Sequence, residues 1–218
     1  MLQHFQSLLS ELYDTEQHLD VLDYLITDHR ILAAIEDSSA VRVSDEKLLI
    51  CECEGELALS LYLAPELLER LKIHDPRNWL GRRNFTDFCK LIEGISHFNY
   101  LVWNASADKS VTLLELEMQA EVDKYVGTLA VLASQPNGAL ADSLFDRLFD
   151  DPEFDAGLEP DELERYRSAS AFAAKFCRSL DRRFPHGLLR PGMLDELRGF
   201  YRLPQPDKVS YICSATYT

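Results

Sequence analysis

Residues 85–132, FTDFCKLIEGISHFNYLVWNASADKSVTLLELEMQAEVDKYVGTLAVL, decide the fold. In the first half Phe88, Leu91, Ile95, Phe98 and Val102 recur at steps of three and four. In the second half Val111, Leu114, Met118, Val122, Tyr125, Leu129 and Leu132 do the same. That period gathers apolar side chains on one stripe of a helix. Only the polar segment 104–109 separates the two halves, so the helices are expected as antiparallel neighbours at the centre of the core. Thr86 and Ser110 stand where N-caps belong, since their hydroxyls accept from the unpaired amides of a first turn.

Upstream of this hairpin the period falls to two. Alternating runs over 48–54 and 57–63 flank Gly55 and predict a β-hairpin with Leu57, Leu59, Leu61 and Leu63 on one face. Two strands alone are marginal in water, so a third is expected from 41–43 or from 208–214. Residues 2–36 read as two helices, the first carrying Leu2, Phe5, Leu8, Leu9 and Leu12. The second begins with Leu19, Leu22, Leu25 and Ile26. Pro65 opens a short helix over 66–72, at a first-turn position where proline is tolerated. Downstream, Gln135-Pro-Asn-Gly marks a turn, followed by helices over 139–150, 160–183 and 191–201.

The fold class is therefore α+β and predominantly α-helical: a central antiparallel helical hairpin with a small antiparallel β-sheet packed on one side. Residues 1–218 are read as a single domain, with a soft boundary near 135–160 ahead of a helical C-terminal part, 160–218.

A net charge of −15 argues against nucleic acid as a partner, because phosphate binding wants a basic face. The first residues lack the basic n-region of a signal peptide, and no apolar run approaches the ~20 residues of a membrane span. Five cysteines without framework spacing fit a reducing compartment, so a cytoplasmic protein without membrane association is expected.

Charge also segregates along the chain. Residues 142–164 hold ten acids and one base, whereas 165–202 hold nine bases and three acids. Arg178, Arg182, Arg183 and Arg190 on one side, and Asp150, Asp151, Glu153 and Asp155 on the other, make charged surfaces suited to a protein partner or a second copy of the chain. The leading functional expectation is a non-enzymatic interaction or regulatory protein with no cofactor. Motifs for nucleophilic catalysis or phosphate binding are missing: there is no G-x-S-x-G, P-loop, G-x-G-x-x-G or H-E-x-x-H.

The alternative is a metal-dependent enzyme or metal-binding helical protein. With the hairpin turn centred near residue 107, His97 comes level with Glu117 and Glu93 with Glu121. On their own helices Glu93 and His97, and Glu117 and Glu121, are spaced i, i+4. Against this, about 100° per residue sets Glu93 and His97 opposite the Phe88–Ile95–Val102 stripe, where a solvated face is expected. Two further groupings are weaker. Asp151, Glu153, Asp155 and Glu162 match positions of a calcium loop, but Ala156 replaces the required glycine, and helix capping explains the acids. Cys51 and Cys53 share a strand face that Cys213 would join only from a neighbouring strand.

Overall fold

The computed structural model describes residues 1–16, 18–35, 44–53, 56–135, 143–150, 152, 157–185 and 190–214. Helix α4, Phe85–Ala105, and helix α5, Leu113–Ala133, form the central hairpin. Their antiparallel crossing brings Tyr100 to Glu115, His97 to Glu117 and Glu93 to Lys124. Phe88, Leu91, Ile95 and Phe98 are fully buried, as a helix stripe facing a core requires.

The helix ends lie elsewhere than at Thr86 and Ser110. Asn84 precedes α4, but its side chain ties down the preceding loop. It accepts from the Gly81 amide at 2.9 Å and donates to the His74 and Trp79 carbonyls at 2.8 Å each. In the connecting turn, Asp108 adopts a left-handed φ of 53° and the Lys109 amide bonds the Asn104 carbonyl at 3.0 Å. That closure uses up the residues next to Ser110, and Thr112 becomes the cap, accepting from the Glu115 amide at 3.1 Å.

Strands β2, Glu46–Cys53, and β3, Glu56–Leu63, pair antiparallel in register Glu46↔Leu63 to Cys53↔Glu56. The third strand corrects the sequence expectation. It is β1, Leu25–Ile26, which pairs parallel to β3 (Leu25↔Leu61, Ile26↔Tyr62), so the sheet is mixed with order β1-β3-β2. Residues 41–43 lie outside the described residues, and 208–213 belong to helix α8, Gln205–Cys213.

The second N-terminal helix is likewise corrected. After α1, Leu2–Tyr13, the chain passes through a 3-10 turn, Val21–Tyr24, into β1, and only His29–Ile35 is helical (α2). Buried Gln6 explains the change, donating to the Leu19 carbonyl at 2.9 Å and accepting from the Val21 amide at 3.1 Å. Those backbone groups are thereby satisfied without a helix. At its end β3 is covered on both faces, with Leu61, Tyr62 and Leu63 fully buried, while Leu57 is 37% exposed.

Helix α3, Pro65–Ile73, leads back to the hairpin. Helix α6, Pro160–Arg183, packs along α5 and is followed by α7, Pro191–Tyr201. Glu159 and Glu162 form a capping box at the start of α6, with Glu162 accepting from the Glu159 amide at 3.1 Å. Of the helix expected over 139–150, the described part, 143–150, is helical throughout and ends in a π-turn, Asp146–Asp150. One hydrophobic core runs from Leu2 to Ile212. No helix among the described residues is long and apolar enough to cross a membrane.

Helix α5 is buried almost all round, and this is what positions the polar groups. Glu115, Gln119 and Asp123 form one stripe at i, i+4, i+8. Glu117, Glu121 and Lys124 form a second stripe roughly opposite. The first meets Tyr13, Ser96, Tyr100 and Lys208. The second meets His97 and Glu93 of α4.

Candidate metal centre

On α4, Glu93 and His97 are one turn apart, and both face the second polar stripe of α5. The donor atoms of Glu93, His97 and Glu117 all lie within 4.8 Å of one another. His97 Nε2 is 3.4 Å from Glu117 Oε2, and Nδ1 is 3.7 Å from Oε1 of Glu46. His97 and Glu117 are 7% and 8% exposed, so water is largely excluded. Neither His97 Nε2 nor Glu46 Oε1 completes a hydrogen bond although both atoms are buried. Unsatisfied buried donors and acceptors are rare in folded proteins, and each calls for an explanation.

Glu46 comes from the first residue of β2 and reaches the helix because Gly94 carries no side chain. A Cβ there would stand 2.9 Å from Glu46 Cγ and 2.9 Å from Leu61 Cδ1. The glycine in the interior of α4 therefore lets a strand carboxylate approach the helix next to His97. Lys124 closes the other side, 2.5 Å from Glu121 Oε1 and 3.4 Å from Glu93 Oε2. Tyr166 of α6 lies within electrostatic reach of Glu117, Glu93 and Glu46.

The electrostatics follow from crowding acids in a low-dielectric space. Burial raises the Glu46 carboxyl above its usual range, with His97 only partly offsetting it. Burial likewise raises Glu121 against the pull of Lys124. For Glu93 burial is outweighed by Lys124 and His97, and its carboxyl is held low. Burial alone would push the His97 imidazole down, but Glu117 and Glu46 hold it well above its ordinary value. In the same way Glu121 and Glu93 overcome burial at Lys124 and keep it charged. Four carboxylates thus face two cationic side chains.

Comparisons of the chain with protein-family models, curated proteins and solved structures return no match. The chemistry of this cluster therefore stands on its geometry alone. An imidazole and carboxylates around one point are the donors that suit manganese, iron or zinc.

Of the four residues singled out for a metal, Glu93, His97 and Glu117 come together, while Glu121 faces Lys124. Their face is buried, contrary to the solvated face expected, because β2 and α5 cover it. Glu46, Lys124 and Tyr166 were missed. Gly94 was the available signal, since a glycine inside a helical period costs about 1 kcal/mol against alanine and points to packing at that position.

The charged blocks are placed differently. Arg183 donates to Glu196 at 2.7 Å, and Arg178 lies 3.8 Å from Asp150 and 4.2 Å from the Phe145 ring centroid. Arg182 and Arg190 are exposed. Asp151, Glu153 and Asp155 lie outside the described residues, and with them most of the calcium-like loop. Cys213 sits exposed on α8, not on a strand beside Cys51.

Proposed function

We propose that this chain is a helical metal-binding protein. Glu93, His97 and Glu117 are its ligands, and Glu46 of the sheet faces the other ring nitrogen, Nδ1, as the carboxylate that orients the imidazole. The observation that carries this reading is the convergence of Glu93, His97 and Glu117 donor atoms within 4.8 Å, with the buried His97 Nε2 facing Glu117 at 3.4 Å without a completed hydrogen bond. A divalent cation supplies what the cluster lacks: positive charge for the excess carboxylates and a partner for the ring nitrogen. Binding would release the His97 proton, so affinity should rise with pH. The ion would link α4 to α5, with Glu46 of β2 holding the His97 ring through its other nitrogen. In the charged blocks Arg183 pairs with Glu196, whereas Arg178 lies 3.8 Å from Asp150 with both side chains more than half exposed, and Arg182 and Arg190 are exposed.

Protein purified without chelator should carry close to one equivalent of manganese, iron or zinc per chain. After stripping, the matching metal at a hundredfold excess over Kd should restore about 2.7 kcal/mol of stability. His97→Ala should abolish both effects. Metal-free protein that gains no thermal stability from any of the three ions would refute the assignment.

A further inference from the structure

Residues 74–84 join α3 to α4, and two side-chain amides hold this connection in one shape. Buried Asn84 accepts from the Gly81 amide and donates to the His74 and Trp79 carbonyls, which gathers distant points of the loop around one side chain. Gln135, just past the end of α5, accepts from the Leu80 amide at 2.8 Å and donates to the Pro76 carbonyl at 2.8 Å. A segment fixed in this way has little freedom left to lose when something binds to it. Two large apolar side chains stand out from it. Ile73 is 74% exposed and Trp79 52% exposed, with the indole lying against Gly81, where an added Cβ would stand 2.8 Å from Nε1.

The charge here is opposite to that of the chain as a whole. Residues 70–90 hold six bases and two acids, against a net charge of −15 overall. Both acids are engaged: Asp87 lies 2.9 Å from Arg70 and Asp75 lies 2.5 Å from Arg77. Lys72, Arg82 and Arg83 are exposed and form no ion pair among the described residues. Single exposed apolar residues are ordinary, but two at one rigid connection, among three unpaired cations, make a surface suited to a partner. Tryptophan and arginine are also the side chains that most often anchor interfaces.

We propose that residues 72–83 are a docking surface for an acidic segment of another protein. An apolar side chain of the partner seats against Trp79 and Ile73, and its carboxylates meet Lys72, Arg82 and Arg83. Charge complementarity selects this partner, because the guanidinium groups of Arg82 and Arg83 match carboxylates in bidentate geometry. A phosphate polymer would set dense negative charge against an acidic chain in which three cations offset little. The surface serves this role whether or not the His97 cluster holds an ion.

The test uses the full chain and a short synthetic peptide of aspartate and glutamate around a central Leu-Phe pair, labelled with fluorescein and followed by anisotropy. Wild type should bind it. Trp79→Ala, and Arg82→Glu combined with Arg83→Glu, should each weaken binding at least about tenfold, with the melting temperature unchanged because these side chains are exposed. Arg182→Glu, at an exposed cation of α6, should leave binding as it is. A peptide with Ser-Ser in place of Leu-Phe should bind at least about tenfold more weakly. Raising salt from about 0.05 M to about 0.5 M should weaken the complex by screening. No binding by the wild type would overturn the proposal, as would an affinity indifferent to Trp79→Ala and to the double reversal. Tighter binding of single-stranded DNA, or of vesicles of phosphatidylserine and phosphatidylcholine in equal parts, with the same dependence on Trp79, would also overturn it by assigning the surface to another class of partner.

Discussion

Gly94 has no side chain because Glu46 and Leu61 occupy the space one would fill. Replacing it with alanine sets two effects against each other. Alanine favours an interior helical position by about 1 kcal/mol, whereas forcing atoms into a filled site costs about 1–3 kcal/mol. A contact at 2.9 Å with Glu46 Cγ, close to the backbone of β2, makes the second effect prevail. Gly94→Ala should therefore lower stability by about 1 kcal/mol, or about 2–4 °C in the melting temperature. It should also weaken metal uptake, because Glu46 is the group displaced. Gly199 of α7 is the matched control, exposed and with nothing within 4 Å of an added Cβ. Gly199→Ala should stabilise by about 0.5–1 kcal/mol, as helix propensity acting alone predicts. If both substitutions shift the melting temperature upward, the packing at Gly94 is looser than described.

At the scale of the element, the start of α5 shows what local sequence can and cannot fix. Both Ser110 and Thr112 carry a capping hydroxyl, and the spacing Thr112-Leu-Leu-Glu115 was the better signature. The choice fell to Thr112 because the turn at Asp108 and Lys109 closes onto Asn104 first. Thr112 also donates to Gln205 Oε1 of α8 at 2.5 Å, so the cap fastens two helices. Thr112→Ala should cost about 1 kcal/mol in urea unfolding, and Ser110→Ala close to nothing. Equal costs at the two positions would contradict the cap assignment. For 19–26 the helical period was a misleading guide. Side-chain satisfaction by Gln6 and pairing with β3 outweigh a propensity of a few tenths of a kcal/mol per residue.

Across the whole molecule, the first polar stripe of α5 joins α1, α4, α7 and α8 around Lys208. Its ammonium donates to Gln119 at 2.6 Å and stands 4.4 Å from the Phe200 ring centroid and 5.0 Å from that of Tyr100. Glu115 and Asp123 of α5, Tyr100 of α4 and Tyr201 of α7 are the titratable groups around it. Burial lowers Lys208 from 10.5 to about 7, only partly opposed by Glu115 and Asp123. Between those values the unfolded chain binds more protons than the folded one, so this residue's contribution to stability grows as pH rises. It is complete above the unfolded value and lost as pH falls through about 7. Asp123, raised by burial to about 6, titrates below that window. The stability of wild type relative to Lys208→Met should therefore climb from pH 7 to 9, by at most about 1.4 kcal/mol per pH unit. A difference independent of pH across that range would show that Lys208 keeps its proton in the folded protein.

The hairpin is legible in the residues, because apolar side chains recurring every three to four positions over two long runs joined by a short polar turn permit little else. Simple counting from that turn also set His97 level with Glu117. The tertiary structure alone decided that their face is buried. Periodicity along one helix reports where the apolar stripe lies, but not what covers the opposite side. That side is covered by Glu46 of a strand remote in the chain, by a helix polar on two opposite faces, and by Tyr166 of α6. The same limit explains β1 and α8. A strand of two residues and a helix around a buried lysine each exist through partners elsewhere, and such long-range satisfaction leaves no local period to read.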